Sequence, residues 1–318
     1  MGWPWRKNTS RNEVQLGIWC QAGQFAAVGC QNGEPVLFFP ATDGDDASEA
    51  ALAGWIQQNQ LERSRTVLLM PNNGYQLHLM QAPDVEDHEL AGALRFGLGD
   101  LVNQPLEQLV VEAFRLPDDA YRGRNRIAQA VVCERSFIKD QVDWCKRMNL
   151  SLQQILIGEL ALLNLLALLE PEGSVGILVL NEHDGRLTLY REGALYLSRQ
   201  LHLGQQELQQ SLQADANPDG GLQLVREGDG PLDYLQLEVQ RSMDYFDSQM
   251  GMGLINQLWL MPTRGVDADL LLERLEQAFR TPWRLLSVPG VRRCERQLLA
   301  LAGALQLPHV DEGGASWL

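Results

Sequence analysis

The chain has 318 residues, 45% of them hydrophobic and 21% charged, with a formal net charge of −15. That length allows two domains with a sizeable core, and the acidic balance argues against broad nucleic-acid binding, which needs basic patches. No apolar run reaches the roughly 20 residues of a membrane span, MGWPWRKNTSRNE lacks the apolar stretch of a secretory signal, and five scattered cysteines (Cys20, Cys30, Cys133, Cys145, Cys294) with no C-x-x-C pair fit the reduced thiols of a cytoplasm.

Residues 1–12 read as a flexible polar tail. Trp3 and Trp5 beside Arg6 and Lys7 would suit a membrane interface, but two Trp are too few for a firm anchor, so a solvated tail is the reading taken. From Val14 to Phe39 three short runs, VQLGIW, QFAAVG and PVLFF, are separated by the turn stretches QAG and QNGE. This is the pattern of a three-strand meander. ATDGDD follows as a solvated turn without the ligand spacing of a calcium loop. Residues 48–60 are predicted helical, with Ala51, Leu52, Trp55 and Ile56 on one face, and TVLLM is a buried strand.

Residues 74–149 read as an inserted subdomain. YQLHLMQ alternates as a strand, and 85–98 is a helix with Leu90, Ala93, Leu94 and Gly97 at helical spacing. LEQLVVEAFRL and RIAQAVVC are two strands, and 136–148 is a helix. LQQILI and an apolar helix after Gly158, interrupted by Glu159 and Asn164, close the first half.

Residues 175–200 then repeat the opening layout: GILVL, RLTLY and ALYLSRQ, with turns at DG and REG. A loop rich in Gly and Asp, ADANPDGGLQLVREGDG, follows. Residues 231–250 form an amphipathic helix whose Leu235, Val239, Ser242, Met243 and Phe246 share a face. QLWLM is a strand, 267–279 a helix, WRLLSV a strand, and 292–305 a helix with Ala300, Gly303 and Ala304 for close packing.

Each half therefore runs strand, strand, strand, helix, strand, helix, strand, helix. That is the order of a ribonuclease-H-like half, and two such halves make an actin-like fold. The expected class is α/β: a duplicated actin-like (ribonuclease-H-like) fold with an inserted subdomain. The first half is 13–73 with 150–172, the insertion 74–149, the second half 173–310, and 1–12 and 311–318 are flexible tails.

Two stretches carry a family resemblance. PLDYLQLEVQRSMDYFDSQMG is similar to a segment of PilM-type pilus assembly proteins, with Glu238, Arg241, Ser242, Asp244, Tyr245 and Phe246 in register. EDHELAGALRFGLGDLVNQPLEQLVVEAFRL resembles the subdomain helix of that family and the turn after it, through Glu89, Leu90, Ala93, Arg95, Pro105, Leu106 and Glu107. LLALAGALQL resembles its last helix. The match spans nearly the whole chain and is strongest to the mannose-sensitive haemagglutinin (MSHA) pilus branch. The resemblance implies an FtsA-like body in the cytoplasm, peripheral to the inner membrane. It also implies ATP between the halves, and a groove beside the insertion for the short cytoplasmic N-terminal peptide of a PilN-like membrane partner. Leu90, Leu94 and Phe96 are the candidate partner anchors, with core packing of the subdomain the alternative for each leucine. Self-association is a further open partner; nucleic acid is not expected, and membrane contact is expected only by association.

A phosphate cradle needs small residues, so that backbone N–H groups can approach the anion, and a carboxylate in each half to hold Mg²⁺ or its waters. The family's first turn reads Gly-x-Asp-x-Gly followed by Ser and Lys. Here Trp19 stands for the Asp and Gln21 for the Gly, ahead of Gly23, and the Lys is absent. In the second turn Asn181 and Glu182 stand where Asp-Ile-Gly is expected. Gly204-Gln205 and Pro262-Thr263-Arg264-Gly265 each keep half of a Gly-Gly pair. The candidate nucleotide positions are thus Trp19, Gln21, Gly23, Asn181, Glu182, Gly204, Glu238, Arg241, Thr263 and Gly265, with Glu238 and Arg241 near a ribose in the family and an exposed i, i+3 pair as the alternative.

With every nucleotide motif damaged, the expectation is a scaffold of a type IV, MSHA-type pilus platform, a pseudo-ATPase with no catalytic residue, no metal and no certain cofactor. ATP with Mg²⁺ remains the one cofactor the family would supply. The alternative is an active actin-like ATPase or phosphotransferase that switches the platform. A GspL-like secretion component is a third reading, disfavoured because that family continues into a membrane span. No G-x-x-x-x-G-K-[ST], G-x-S-x-G or H-E-x-x-H motif is present.

Overall fold

In a computed structural model the structure describes residues 14–21, 23–40, 45–120, 126–216, 230–261, 266–291 and 295–305. The chain opens with β1 (Gln15–Gln21), β2 (Gln24–Gln31) and β3 (Glu34–Phe39), then α1 (Glu49–Gln58) and β4 (Arg65–Leu69). β5 (Gln76–Gln81), α2 (Asp87–Arg95), β6 (Leu109–Arg115) and β7 (Ile127–Glu134) follow, then α3 (Arg135–Arg147), β8 (Ser151–Leu156) and α4 (Gly158–Leu169). The meander returns as β9 (Ser174–Leu180), β10 (Gly185–Arg191) and β11 (Ala194–Leu201), succeeded by α5 (Gln205–Ala216), α6 (Pro231–Asp244), β12 (Gln257–Leu260), α7 (Ala268–Ala278), β13 (Trp283–Leu285) and α8 (Glu295–Ala304).

The duplication is explicit in the sheets. One runs β3-β2-β1-β4-β8 and the other β11-β10-β9-β12-β13, the same order twice. In each, the three meander strands are antiparallel, and β4, β8 or β12, β13 run parallel to the first strand. β5-β7-β6 form a separate antiparallel sheet with α2 against β6. β9 is buried at every residue, which is why GILVL reads as a continuous apolar run, as a central strand covered on both faces does. The turns expected at QNGE and REG carry Asn32–Gly33 (φ 54° and 82°) and Glu192–Gly193 (φ 50° and 75°), the left-handed pair that a two-residue hairpin needs. Helix starts obey local chemistry: the Ser48 side chain accepts from Ala51 N, and Asp267 accepts from the N–H groups of Asp269 and Leu270.

The final helices of the two halves lie against each other, and α8 packs on β1, β2 and β4 of the first sheet. Grouping 292–305 with the second half follows sequence order, but the packing is with the first. The cause is steric: Gly17 on β1 and Gly303 on α8 allow close backbone approach, since a Cβ on Gly17 would meet the Ala300 and Ala304 backbone and one on Gly303 would meet the Leu69 side chain at 2.3 Å. α3, read as part of the insertion, also faces the first sheet. Its Trp144 stacks on Phe25 at 5.4 Å and 11°, and Cys145 joins the same cluster. Two further differences concern helices and strands directly. α5 occupies part of a stretch for which no helix is expected, and the strand expected over WRLLSV is only Trp283–Leu285. The largest core spans both halves and reaches the insertion, while the insertion has its own small core around Leu90, Leu94 and Leu98.

Candidate functional site

The two meander turns carry most of the candidate nucleotide positions, and at the second one the polar groups are already in use. At the second turn Asn181 N donates to Asp184 O at 2.8 Å, and the Asn181 amide donates to the Asp184 carboxylate. The start of α5 folds onto this turn: Gln205 N donates to Asn181 O at 2.8 Å and Gln206 N to Glu182 O at 3.1 Å. Gly204 N donates to the Glu207 carboxylate at 3.1 Å, and the Gln206 side chain donates to Glu182 at 2.7 Å. The first N–H groups of a helix are what an anion would use; here the turn carbonyls and a carboxylate take them. Gly204 is needed for this closeness, since a Cβ there would meet Glu182 O at 2.4 Å. His183 adds a ring nitrogen 3.9 Å from Glu182 and another 4.0 Å from Glu207. The turn is thus lined by three carboxylates, Glu182, Asp184 and Glu207.

On the other side Trp19 is buried on β1, with the Arg296 guanidinium 5.0 Å from its ring centre. A buried indole held against a cation thus stands at the position where the sequence pattern led us to expect an Asp. Gln21 and Gly23 form the tip of the β1–β2 turn, Gly23 with φ 74°. Glu295, beside Arg296, is pushed up to about 8 by burial, with Asp184 adding repulsion and Arg296 opposing it. On α6, Arg241 donates to Glu238 at 2.7 Å, and Arg199 on β11 lies 3.7 Å from the same carboxylate. The i, i+3 pairing therefore exists, extended to the neighbouring sheet. Thr263 and Gly265 lie outside the described residues. The residues described do not fit a magnesium triphosphate: the second turn spends its N–H donors internally, and Trp19 leaves the first turn without the carboxylate expected there. Among the described residues no group of His, Cys, Asp and Glu is arranged to hold a metal ion.

A buried polar cluster joins α4 to the second meander, and the sequence offered one signal for it, a lone acid in the apolar run of α4. Glu159 is fully buried in the first turn of α4 and bonded to Arg186 of β10. Tyr75 Oη donates to Glu159 Oε2 at 2.5 Å, Ser198 Oγ donates to Oε1 at 3.0 Å, and Tyr190 Oη donates to the Glu159 carbonyl at 2.8 Å. Arg186 also donates to Tyr75 Oη at 2.9 Å and lies 5.0 Å from the centre of that ring. Burial and then the Glu159 charge push the Tyr75 phenol well above its ordinary value, so it stays a donor. Burial works against the Arg186 charge, but Glu159 and Tyr75 outweigh it and hold the guanidinium above its ordinary value.

Beside the insertion is a groove of about 560 Å³. Phe114 and Leu116 at the end of β6 form one wall, Leu160, Leu163 and Asn164 of α4 another, and Ala194 and Leu195 at the start of β11 the third. Its lining is mostly apolar, with Arg115, Asp118, Gln154 and Asn164 as polar points. The anchors proposed from sequence do not line it. Leu90 and Leu94 are buried in the core of the insertion, because they form the apolar face of α2 that covers β6. They are therefore corrected to packing residues. Phe96 is 88% exposed, on the short helical turn after α2.

With this geometry in place, the fold is actin-like, two ribonuclease-H-like halves with an inserted subdomain. No family model matches the chain, and no curated protein matches it. A chain of the PilM-PilN type IV pilus biogenesis complex is similar to it with a TM-score of 0.60 at 19% identity, over 93% of this chain and 98% of the other. The cytoplasmic domain of EpsL, an inner membrane component of the type II secretion system of Vibrio cholerae, is similar with a TM-score of 0.50 at 13% identity, over 91% and 94%. No helix among the described residues is long and apolar enough to cross a membrane.

Proposed function

We propose that the chain is a scaffold of an inner-membrane pilus assembly platform, which takes the cytoplasmic tail of a PilN-like membrane protein into the groove beside the insertion. The observation that carries this is the groove itself: about 560 Å³, mostly apolar, and walled by the insertion and both halves. An extended segment with a few apolar side chains suits such a site, with the polar points fixing its register. The likeness to a PilM-PilN chain supports the assignment of partner class. The finer reading is an MshI-like role in an MSHA-type system, on the helix motif around Glu238, Arg241 and Tyr245. The protein works at the cytoplasmic side of that membrane and is not an ATPase, a reading supported by the second turn, which spends its donors internally, and by Trp19 in the first.

The test is a calorimetric titration of the synthetic N-terminal peptide of the PilN-like protein encoded in the same genome. Ala194→Trp fills the groove from its rim without removing a core side chain, and abolishes binding. Phe96→Ser, away from the groove lining, leaves it unchanged. Equal affinity for the wild type and Ala194→Trp would refute the assignment.

A further inference from the structure

The cluster around Glu159 joins residues from both halves. Glu159 comes from the first, Tyr75 from the start of the insertion, and Arg186, Tyr190 and Ser198 from the second. One carboxylate receives Arg186, Ser198 and Tyr75, and the carbonyl of the same residue receives Tyr190. We propose that this cluster is a built-in clasp that fixes the opening between the halves, in place of a ligand bridging them.

Most of the remaining buried contact is apolar, with single hydrogen bonds such as Tyr196 to Asp119 and Asn164 to Ala302, and apolar contact is non-directional. Two greasy faces can slide or hinge with small loss at each step. A buried ion pair cannot. Its partners are strong only at one separation, and a partial opening leaves a charge without its partner in a medium of low dielectric. The clasp is also geometrically specific. The guanidinium sits against the Tyr75 ring while bonding its hydroxyl and the carboxylate, so rotation of one half about the other breaks several contacts together. Elsewhere the second turn is closed onto α5, and Trp19 is covered by Arg296. α4 links the clasp to the groove, because Glu159 is followed on that helix by the lining residues Leu160, Leu163 and Asn164. The width of the groove thus follows the clasp; this last consequence rests on the peptide reading, and the clasp itself does not.

Hydrogen–deuterium exchange of the full chain tests it. In the wild type the hydrogen-bonded amides of α4 and strand β10 exchange slowly, at rates that millimolar Mg-ATP does not change. Arg186→Met accelerates exchange in both segments together, by about tenfold or more, while β6 and β7 of the insertion keep their protection. Ser198→Ala, a milder loss, gives the same pattern at smaller amplitude and keeps the test readable if Arg186→Met unfolds. Acceleration confined to β10, with α4 unaffected, would overturn the proposal. So would a slowing of exchange across both segments by Mg-ATP in the wild type, since a ligand would then be closing what the clasp should already hold shut.

Discussion

Gly17 and Ala300 meet backbone to backbone: a methyl group on Gly17 would stand 1.8 Å from the Ala300 carbonyl oxygen and 2.5 Å from Ala304 N. This contact seats α8 on β1 and makes the last helix of the second half part of the first half's core. Gly17→Ala has no flexible side chain to displace, so one of two backbones must move. The expected loss is about 1–3 kcal/mol or more in urea denaturation. Gly54→Ala, in the interior of α1 with nothing near its added methyl, is expected to stabilise by roughly 0.5–1 kcal/mol.

The clasp has a thermodynamic signature separate from its effect on motion. Arg186→Met leaves the Glu159 carboxylate buried without its cation and is expected to cost about 3–5 kcal/mol. The double variant Glu159→Leu with Arg186→Met removes both charges and recovers part of that loss. A double-mutant cycle by chemical denaturation reads the coupling directly. Additive losses would mean that the pair does not act as a unit.

Glu295 makes stability depend on pH in an unusual direction for an acid. Its folded value is raised from 4.5 to about 8, so the folded protein holds a proton that the unfolded chain has released. That contribution is fully present below about pH 4.5 and is lost as pH rises towards 8. Glu295→Gln is expected to raise the melting temperature at pH 8 and to flatten the decline between pH 5 and pH 8, as seen in thermal scans across roughly that range. An unchanged slope would remove Glu295 as its source.

On the insertion, burial separates two residues that sequence spacing could not. Leu94→Ala opens a cavity against β6 and is expected to cost about 2–5 kcal/mol. Phe96→Ser is expected to change stability by less than about 0.5 kcal/mol. Similar losses for the two, measured in urea, would contradict this placement.

The duplication was legible because alternating strands and paired turn residues leave a local signature, clear in 15–39 and again in 174–201. So was the buried face of α6 and the turn after it: Leu235, Val239, Ser242 and Phe246 are buried as their spacing predicts, and Met243 is half-buried. α5 was missed because GQQELQQSLQ has a weak apolar face and adjoins a Gly- and Asp-rich loop. The clasp was hidden for a different reason: Tyr75, Glu159, Arg186 and Ser198 are brought together only by the crossing of α4 onto the second meander. Sequence showed that Trp19, Gln21 and Asn181 depart from a nucleotide-binding pattern. It could not show that α5 donors close the second turn, since that depends on the approach of Gly204 to Glu182.

The central claim is a peptide scaffold that works without nucleotide, and one titration addresses it most directly. The PilN-like N-terminal peptide is titrated into the wild-type protein with and without millimolar Mg-ATP. The account predicts saturable binding with the same affinity in both, within about twofold, or ~0.4 kcal/mol. No binding, or binding that appears only with Mg-ATP, would contradict it.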